Sequence, residues 1–293
     1  MKKAIGYVYV VAAAVCWGFL GLFNRVLTAA GVSLLNMMPL RFGGTAILFT
    51  AFCMAFKRQV FRIRLRHLPI FLGSGLISML LLGLVYFRCQ QLCSLAVASI
   101  LMYLAPSFVV LFGAIIWKTP LTARKITALL LALCGCALVS GIVGSDVRIS
   151  LEGLLMGLAS GLCYGGYTIF AHYGMRYYDS FTMAYWTFLI AGVASLFLAD
   201  CPTLLPALAE PRTGLAALGL MVVGTALPFT LYTKGLETVE GGKAAIIANI
   251  EPVMSAVIGV TVFQEILSLW TLAGIVLVLS GVVVLACEKE PGK

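Results

Sequence analysis

Charge is what this sequence has least of. Asp, Glu, Lys and Arg make up 11% of its 293 residues, where an ordinary soluble domain carries roughly 25%. The deficit runs along the whole chain, which argues against a water-soluble fold. Histidine is scarcer still, only His67 and His172 being present. Nine cysteines occur, but Cys16, Cys53, Cys134, Cys136 and Cys163 lie inside apolar runs, where they act as small hydrophobes. Cys134 and Cys136 are too close together to bind zinc without partners, so no metal and no cofactor is expected. No Walker-type glycine loop is present, which argues against ATP-driven pumping by this chain. Nucleophile, base and oxyanion donors do not cluster, so an enzyme is disfavoured. The alternation of apolar and polar residues that a membrane barrel needs is missing too.

What remains is helix. The chain is 62% hydrophobic, with a mean hydropathy of +1.07. A spanning helix needs about 20 apolar residues, and in lipid every backbone N–H and C=O must find an internal partner. Turns and charges predict ten spans, at 5–27, 36–56, 69–88, 96–117, 124–142, 152–172, 181–199, 213–233, 244–263 and 269–287. The fold class is therefore an all-α integral membrane protein. The first run, Ala4–Phe23, continues into Asn24 and Arg25 and reads as a span, not a signal peptide. Lys57–His67 and Asp200–Arg212 are the longest polar connections.

The net charge of +9 does not point to nucleic acid, because the basic residues sit in short loops. With the N-terminus inside, Lys57, Arg58, Arg62, Arg64, Arg66, Lys118, Arg124, Lys125, Arg176, Lys234 and Lys243 face the cytoplasm, as do Lys289 and Lys293. Arg25, Arg41, Arg88, Arg148 and Arg212 fall on the other side. Basic loops stay inside, so both termini are expected to be cytoplasmic in a multi-pass protein of the cell membrane.

The two halves echo each other. At a separation of 146, Tyr86 meets Tyr232, Arg88 meets Lys234, and Ala98 meets Ala244. Pro106 meets Pro252, Gly113 meets Gly259, Leu121 meets Leu267 and Gly135 meets Gly281 in the same register. Trp17, Gly18 and Phe23 match Tyr164, Gly165 and Phe170 one position further on. The chain thus divides into a first five-helix repeat, 1–145, and a second, 146–293. Five is odd, so the second repeat enters from the opposite face. Inverted-topology repeats of this kind are a common transporter design, with the substrate site near the midplane.

These residues resemble a known family. Trp17-Gly18, Leu40-Arg41-Phe42, and Tyr86 followed by Ala96, Ala98 and Pro106 look like the EamA-like branch of the drug/metabolite transporter superfamily. The echo at Tyr232, Ala244, Ala245 and Pro252, then Glu251-Pro252, Gln264-Glu265 and Leu267, is similar to that family's second half. Lys118-Thr119 departs from the pattern, where a Gly-Glu pair is common. The resemblance implies ten helices and the export or uptake of amino acids, nucleosides or other small metabolites.

Within that frame Trp17, Tyr86, Tyr103, Tyr164, Tyr232 and Asn249 are candidates for substrate binding. Tyr103 and Asn249 each precede a shared proline by three, and each proline frees the carbonyl four residues earlier, Met102 or Ala248. Trp17 is mid-span, which an interfacial aromatic belt explains poorly. Glu251, about seven residues into its span, is the candidate coupling residue. A charge at that depth costs about 2.5–3.5 kcal/mol and is usually functional; the alternative is a neutral acid that fixes packing. Asn249 and Glu251 are about 200° apart on a helix, so one cavity cannot take both squarely. Arg41 and Arg88 are expected to snorkel to the outer interface, while Arg25 fits either the cavity mouth or the lipid boundary. The reading is a secondary transporter, a proton-coupled exporter of an amphipathic metabolite, working as a monomer or homodimer. A passive channel and a lipid-processing membrane enzyme are the alternatives.

Overall fold

The structure is a computed structural model that describes residues 2–141, 143, 150–266 and 268–286. Leu267, Arg148, Lys289, Lys293 and the repeat boundary at 145–146 lie outside the described residues. Among the described residues every regular element is helical. The longer helices, in chain order, are α1 (Ala4–Ala29), α2 (Leu34–Phe56), α3 (Leu65–Leu92), α4 (Leu95–Trp117), α5 (Ala123–Val139), α6 (Leu151–Gly174), α7 (Ser180–Leu198), α8 (Pro211–Leu236), α9 (Gly241–Phe263) and α10 (Leu269–Ala286). Among the described residues, all but α5 and α10 are long and apolar enough to cross a membrane, which makes eight such helices.

Local chemistry sets the helix starts. Ser94, Thr122, Ser150 and Asp179 each accept a hydrogen bond from the backbone N–H three residues on, opening α4, α5, α6 and α7. Asp179 is the strongest of these caps, with Thr182 N–H donating to its Oδ1 over 2.7 Å. Burial pushes this carboxyl up, but the Thr182 bonds and Lys57 outweigh it and hold it below the usual carboxylate range. A depressed acid stabilises the fold above its ordinary pKa and loses that contribution as pH falls through the folded value. Asp179→Ala is therefore expected to cost about 1 kcal/mol at neutral pH. The deficit should shrink below about pH 4, as denaturation in detergent over a pH series would measure.

The helices are interrupted where prolines or tight contacts require it. α4 breaks at Tyr103–Leu104 just before Pro106, and α9 breaks at Asn249 just before Pro252. The Leu95–Met102 and Gly241–Ala248 segments have the same length and lie 146 apart. At their far ends Lys118 and Gln264, again 146 apart, adopt left-handed φ values of 53° and 56°. The following N–H groups, of Thr119 and Glu265, bond back to Gly113 and Gly259. Two turns that few non-glycine residues adopt therefore recur at the spacing of the sequence echoes.

Small residues decide the closest crossings. α5 and α10 meet through Gly135 and Gly274, where a Cβ on Gly135 would stand 2.6 Å from the Gly274 carbonyl. Along α6, Gly157, Gly161 and Gly165 form a stripe against Leu101 and Ala105, bringing α6 onto the broken part of α4. Large aromatics fill the centre: Trp17, Phe42, Tyr167, Phe188, Phe229 and Tyr232 belong to one buried cluster.

Both long polar connections carry structure that their composition hides. Val60, in the 57–67 connection, is buried, and its carbonyl accepts from Trp186 Nε1 at 2.9 Å. The 200–212 stretch holds a short helix, Cys201–Ala209, whose Leu204 packs against Leu27 and Leu220. Asn36 ties that helix down, donating to Thr203 Oγ1 and accepting from Asp200 N–H.

Candidate functional site

A cavity of about 580 Å³ lies among α1, α2, α3, α4, α6, α8 and α9, with Val139 of α5 and Thr271 of α10 at its edge. Its volume is within the range of small-molecule pockets, roughly 300–1,000 Å³. Trp17, Tyr86, Tyr103, Tyr164 and Glu251 all border it. Tyr232 and Asn249 do not; they border a separate crevice of about 20 Å³ behind the wall. The break at Asn249 leaves the two sides of that residue on different spaces, with Glu251 toward the cavity and Asn249 away from it.

Aromatic packing builds one wall. The Trp17 ring lies edge-on to Phe229 at 5.1 Å and to Tyr164 at 6.4 Å, with Tyr232 at 5.3 Å. Tyr232 supports Trp17 from behind and is itself fixed by a 2.9 Å hydrogen bond between its hydroxyl and Thr168 Oγ1. Tyr86 is oriented by Ser99, hydroxyl to hydroxyl at 3.1 Å. Tyr164 donates its hydroxyl proton to Glu251 Oε2 at 3.1 Å, so one carboxylate oxygen is engaged. The break of α1 at Phe19 leaves the Gly18 carbonyl to accept from Ser255 Oγ at 3.1 Å, which couples α1 to α9 beside the cavity. Asn249 Nδ2 is buried with no hydrogen-bond partner among the described residues.

Arg41 departs from the sequence expectation of snorkelling. It borders the cavity, its Nε donating to Thr225 Oγ1 at 3.0 Å and its Nη2 reaching the Gly224 carbonyl at 3.5 Å. Two backbone features make this possible. The π-helical turn Pro39–Gly43 offsets α2 at the arginine. Pro228 cannot bond the carbonyl four residues before it, Gly224, so that oxygen is free to accept. Thr225 passes its own hydroxyl proton to Leu220 O and so meets Arg41 as an acceptor. Arg41 was visible in the Leu40-Arg41-Phe42 motif, but its two acceptors could be found only by folding α8 against α2.

At one end of the cavity Arg25, Glu265 and the 96% exposed Ile266 form a mouth. Arg25 Nη1 and Glu265 Oε1 are 2.6 Å apart there, and the guanidinium lies 4.4 Å from the Phe263 ring centre. Arg25 is thus a mouth residue, one of the two placements its sequence position allowed. Away from the cavity lining, Lys125, 3% exposed, pairs with Glu240 at 2.7 Å and donates to the Pro120 carbonyl at 3.0 Å. This pair joins α5 to the start of α9. The sequence pattern groups Lys125 with the short cytoplasmic loops, whereas the fold buries its side chain. Arg88 lies at an exposed edge, paired with Glu152 at 2.8 Å.

Comparison with known proteins agrees with this architecture. The model of the EamA-like transporter family matches twice, over residues 4–141 and 151–287. An uncharacterized inner membrane transporter, YicL of Salmonella typhimurium, is 26% identical over 97% of this chain and 96% of its own. The uncharacterized transporter YwfM of Bacillus subtilis is 25% identical, covering 100% of this chain and 97% of its own. A crystal structure superposes with a TM-score of 0.75 over 95% of each chain; at 20% identity, that likeness shows the fold alone. With both halves matched and every long helix accounted for, the chain belongs to the EamA-like transporter family.

Proposed function

We propose that this membrane transporter is a secondary carrier that moves a small amphipathic metabolite out of the cell by alternating access. In this reading ten helices cross the membrane, α5 and α10 included, as inverted five-helix repeats of residues 1–145 and 146–293. Both termini are cytoplasmic, and one chain completes a cavity, alone or as half of a homodimer. The observation that carries the proposal is the aromatic-walled cavity, which holds Arg41 and Glu251 and has an exposed mouth at Arg25 and Glu265. The pair between buried Lys125 and half-buried Glu240 is then a closure of the cytoplasmic end. The recurring breaks and left-handed turns at a spacing of 146 support the repeat assignment. An inner-membrane location fits the name carried by the Salmonella relative.

Trp17, Tyr86, Tyr103 and Tyr164 are assigned to substrate contact, with Tyr232 and Asn249 behind them as support. Purified protein in liposomes should show saturable flux driven by an ion gradient. Trp17→Ala and Tyr103→Ala should weaken apparent affinity about tenfold or more, the loss of a stacking wall being worth roughly 1–3 kcal/mol. Phe56→Ala, an exposed residue remote from the cavity, should change it little. Non-saturable flux would indicate a channel, and equal losses in all three variants would mean that they act through packing.

Orientation has its own test. In a background cleared of the nine native cysteines, Gln59→Cys should be shielded from an impermeant thiol reagent on intact cells, and Ala209→Cys should react. Both positions are exposed, unlike the neighbouring Val60. Labelling at 59 and not at 209 would reverse the topology.

A further inference from the structure

We propose that Arg41 anchors a carboxylate on the transported molecule, so that the substrate is an organic monoacid whose body rests against the Trp17–Tyr164 wall. This rests on the transporter reading of the cavity. Arg41 is the eighth residue of α2, roughly 10 Å along the helix from its start. Its side chain does not reach back to the interface, because Thr225 Oγ1 and the Gly224 carbonyl hold it inside. Both of these partners are neutral. Among the described residues no carboxylate forms an ion pair with Arg41, whereas Arg25, Arg88 and Lys125 each have one. A guanidinium at this depth without a direct ion pair is costly; Glu251 acts on it only through space, and the cavity it borders is where a carboxylate can make direct contact.

The geometry favours a planar anion. Two acceptors on α8 fix the guanidinium through Nε and Nη2, which leaves three of its five N–H groups unused. A fixed fork with spare donors suits a carboxylate better than a point charge does. Glu251 shares the cavity and attracts Arg41 through space, but its direct bond is to Tyr164, so the remaining N–H groups of the arginine stay open to a ligand. A phosphate is disfavoured, because a dianion would call for a second free cation, and the other arginine in the lining, Arg25, is already paired with Glu265. The aromatic wall beside this single positive charge sets the rest of the substrate: an apolar, ring-bearing body.

The test compares matched probes on the intact protein in lipid nanodiscs. Benzoate, phenylacetate and 3-phenylpropionate are each set against the corresponding amide and amine, with binding read by calorimetry and thermal shift. At least one acid should bind about tenfold or more tightly than its own amide. Arg41→Lys, which keeps the charge and loses the fork, should weaken the acid but preserve its advantage, and Arg41→Gln should erase the advantage. The wild-type comparison and Arg41→Lys decide the matter should Arg41→Gln fail to fold. Acids and amides binding wild type equally, or an acid preference that survives in folded Arg41→Gln, would overturn the anchor and leave the cavity as a binding site. Failure of every acid, amide and amine to bind would overturn the anchor together with the assignment of the cavity.

Discussion

Glu251→Gln should bind substrate and yet fail to accumulate it against a gradient. Glu251 borders the cavity, is buried, and receives a hydrogen bond from Tyr164. Glutamine keeps its shape and can still accept from that hydroxyl, but it cannot take up or release a proton. If Glu251 carries the coupling proton, occupancy of the cavity survives the change while the link between proton and substrate movement is lost. In proteoliposomes with an imposed pH gradient, wild type should concentrate substrate and the variant should only equilibrate it. Binding to the variant should also lose whatever pH dependence the wild type shows. Retained gradient-driven accumulation would make Glu251 a packing residue, and coupling would have to reside elsewhere.

Gly135→Ala is expected to be strongly damaging, since among the described glycines its added methyl would meet backbone at the shortest distance. The added Cβ would stand 2.6 Å from the Gly274 carbonyl and 2.8 Å from the Val278 backbone N–H nitrogen. Those are backbone atoms on α10, so no rotamer change relieves the clash and the two helices must part. Overpacking of this kind costs about 1–3 kcal/mol, and here the upper end is expected because a whole helix pair must shift. Thermal unfolding in detergent would measure it. Gly21→Ala is the control: nothing lies within 4 Å of its built Cβ, so stability should be unchanged. Equal melting temperatures for Gly135→Ala and Gly21→Ala would contradict the close crossing of α5 and α10.

Both predictions rest on features that differ in how far the sequence exposes them. The helical, lipid-soluble class was legible because hydrocarbon imposes one backbone solution and one composition, as the apolar run at 126–142 already displays. The break before Pro252 and its counterpart before Pro106 were legible for a similar reason, since proline acts through its own missing N–H. Arg41 was not. Its placement depends on the π-turn at Pro39–Gly43 and on the Gly224 carbonyl, an acceptor freed by Pro228 and lying 183 positions later in the chain. Val60 was missed for the same kind of reason: a lone valine between Gln59 and Phe61 is ordered by the Trp186 indole, which local pattern cannot supply. Gly135 and Gly281 were visible as a repeated pair, but their role as contact points needed α10 laid against α5. Glycine recurrence in apolar helices records close approach without naming the partner.

Alternating access is the central claim, and distances across the two ends of the cavity test it without knowledge of the substrate. Spin labels at Leu95 and Leu269, both exposed near the mouth, report one end; labels at Leu121 and Glu237, beside the Lys125–Glu240 pair in sequence, report the other. Pulsed dipolar measurements in lipid, on each pair under opposite pH gradients or at saturating substrate, should give two populations per pair. The populations should shift in opposite senses, the mouth distance shortening in the conditions that lengthen the inner one. Glu240→Ala, which breaks the inner pair, should move both toward the inward-open state. A single unchanging distance at each end, or both ends widening together, would contradict alternating access and leave the cavity as a vestibule of a channel or a closed pocket.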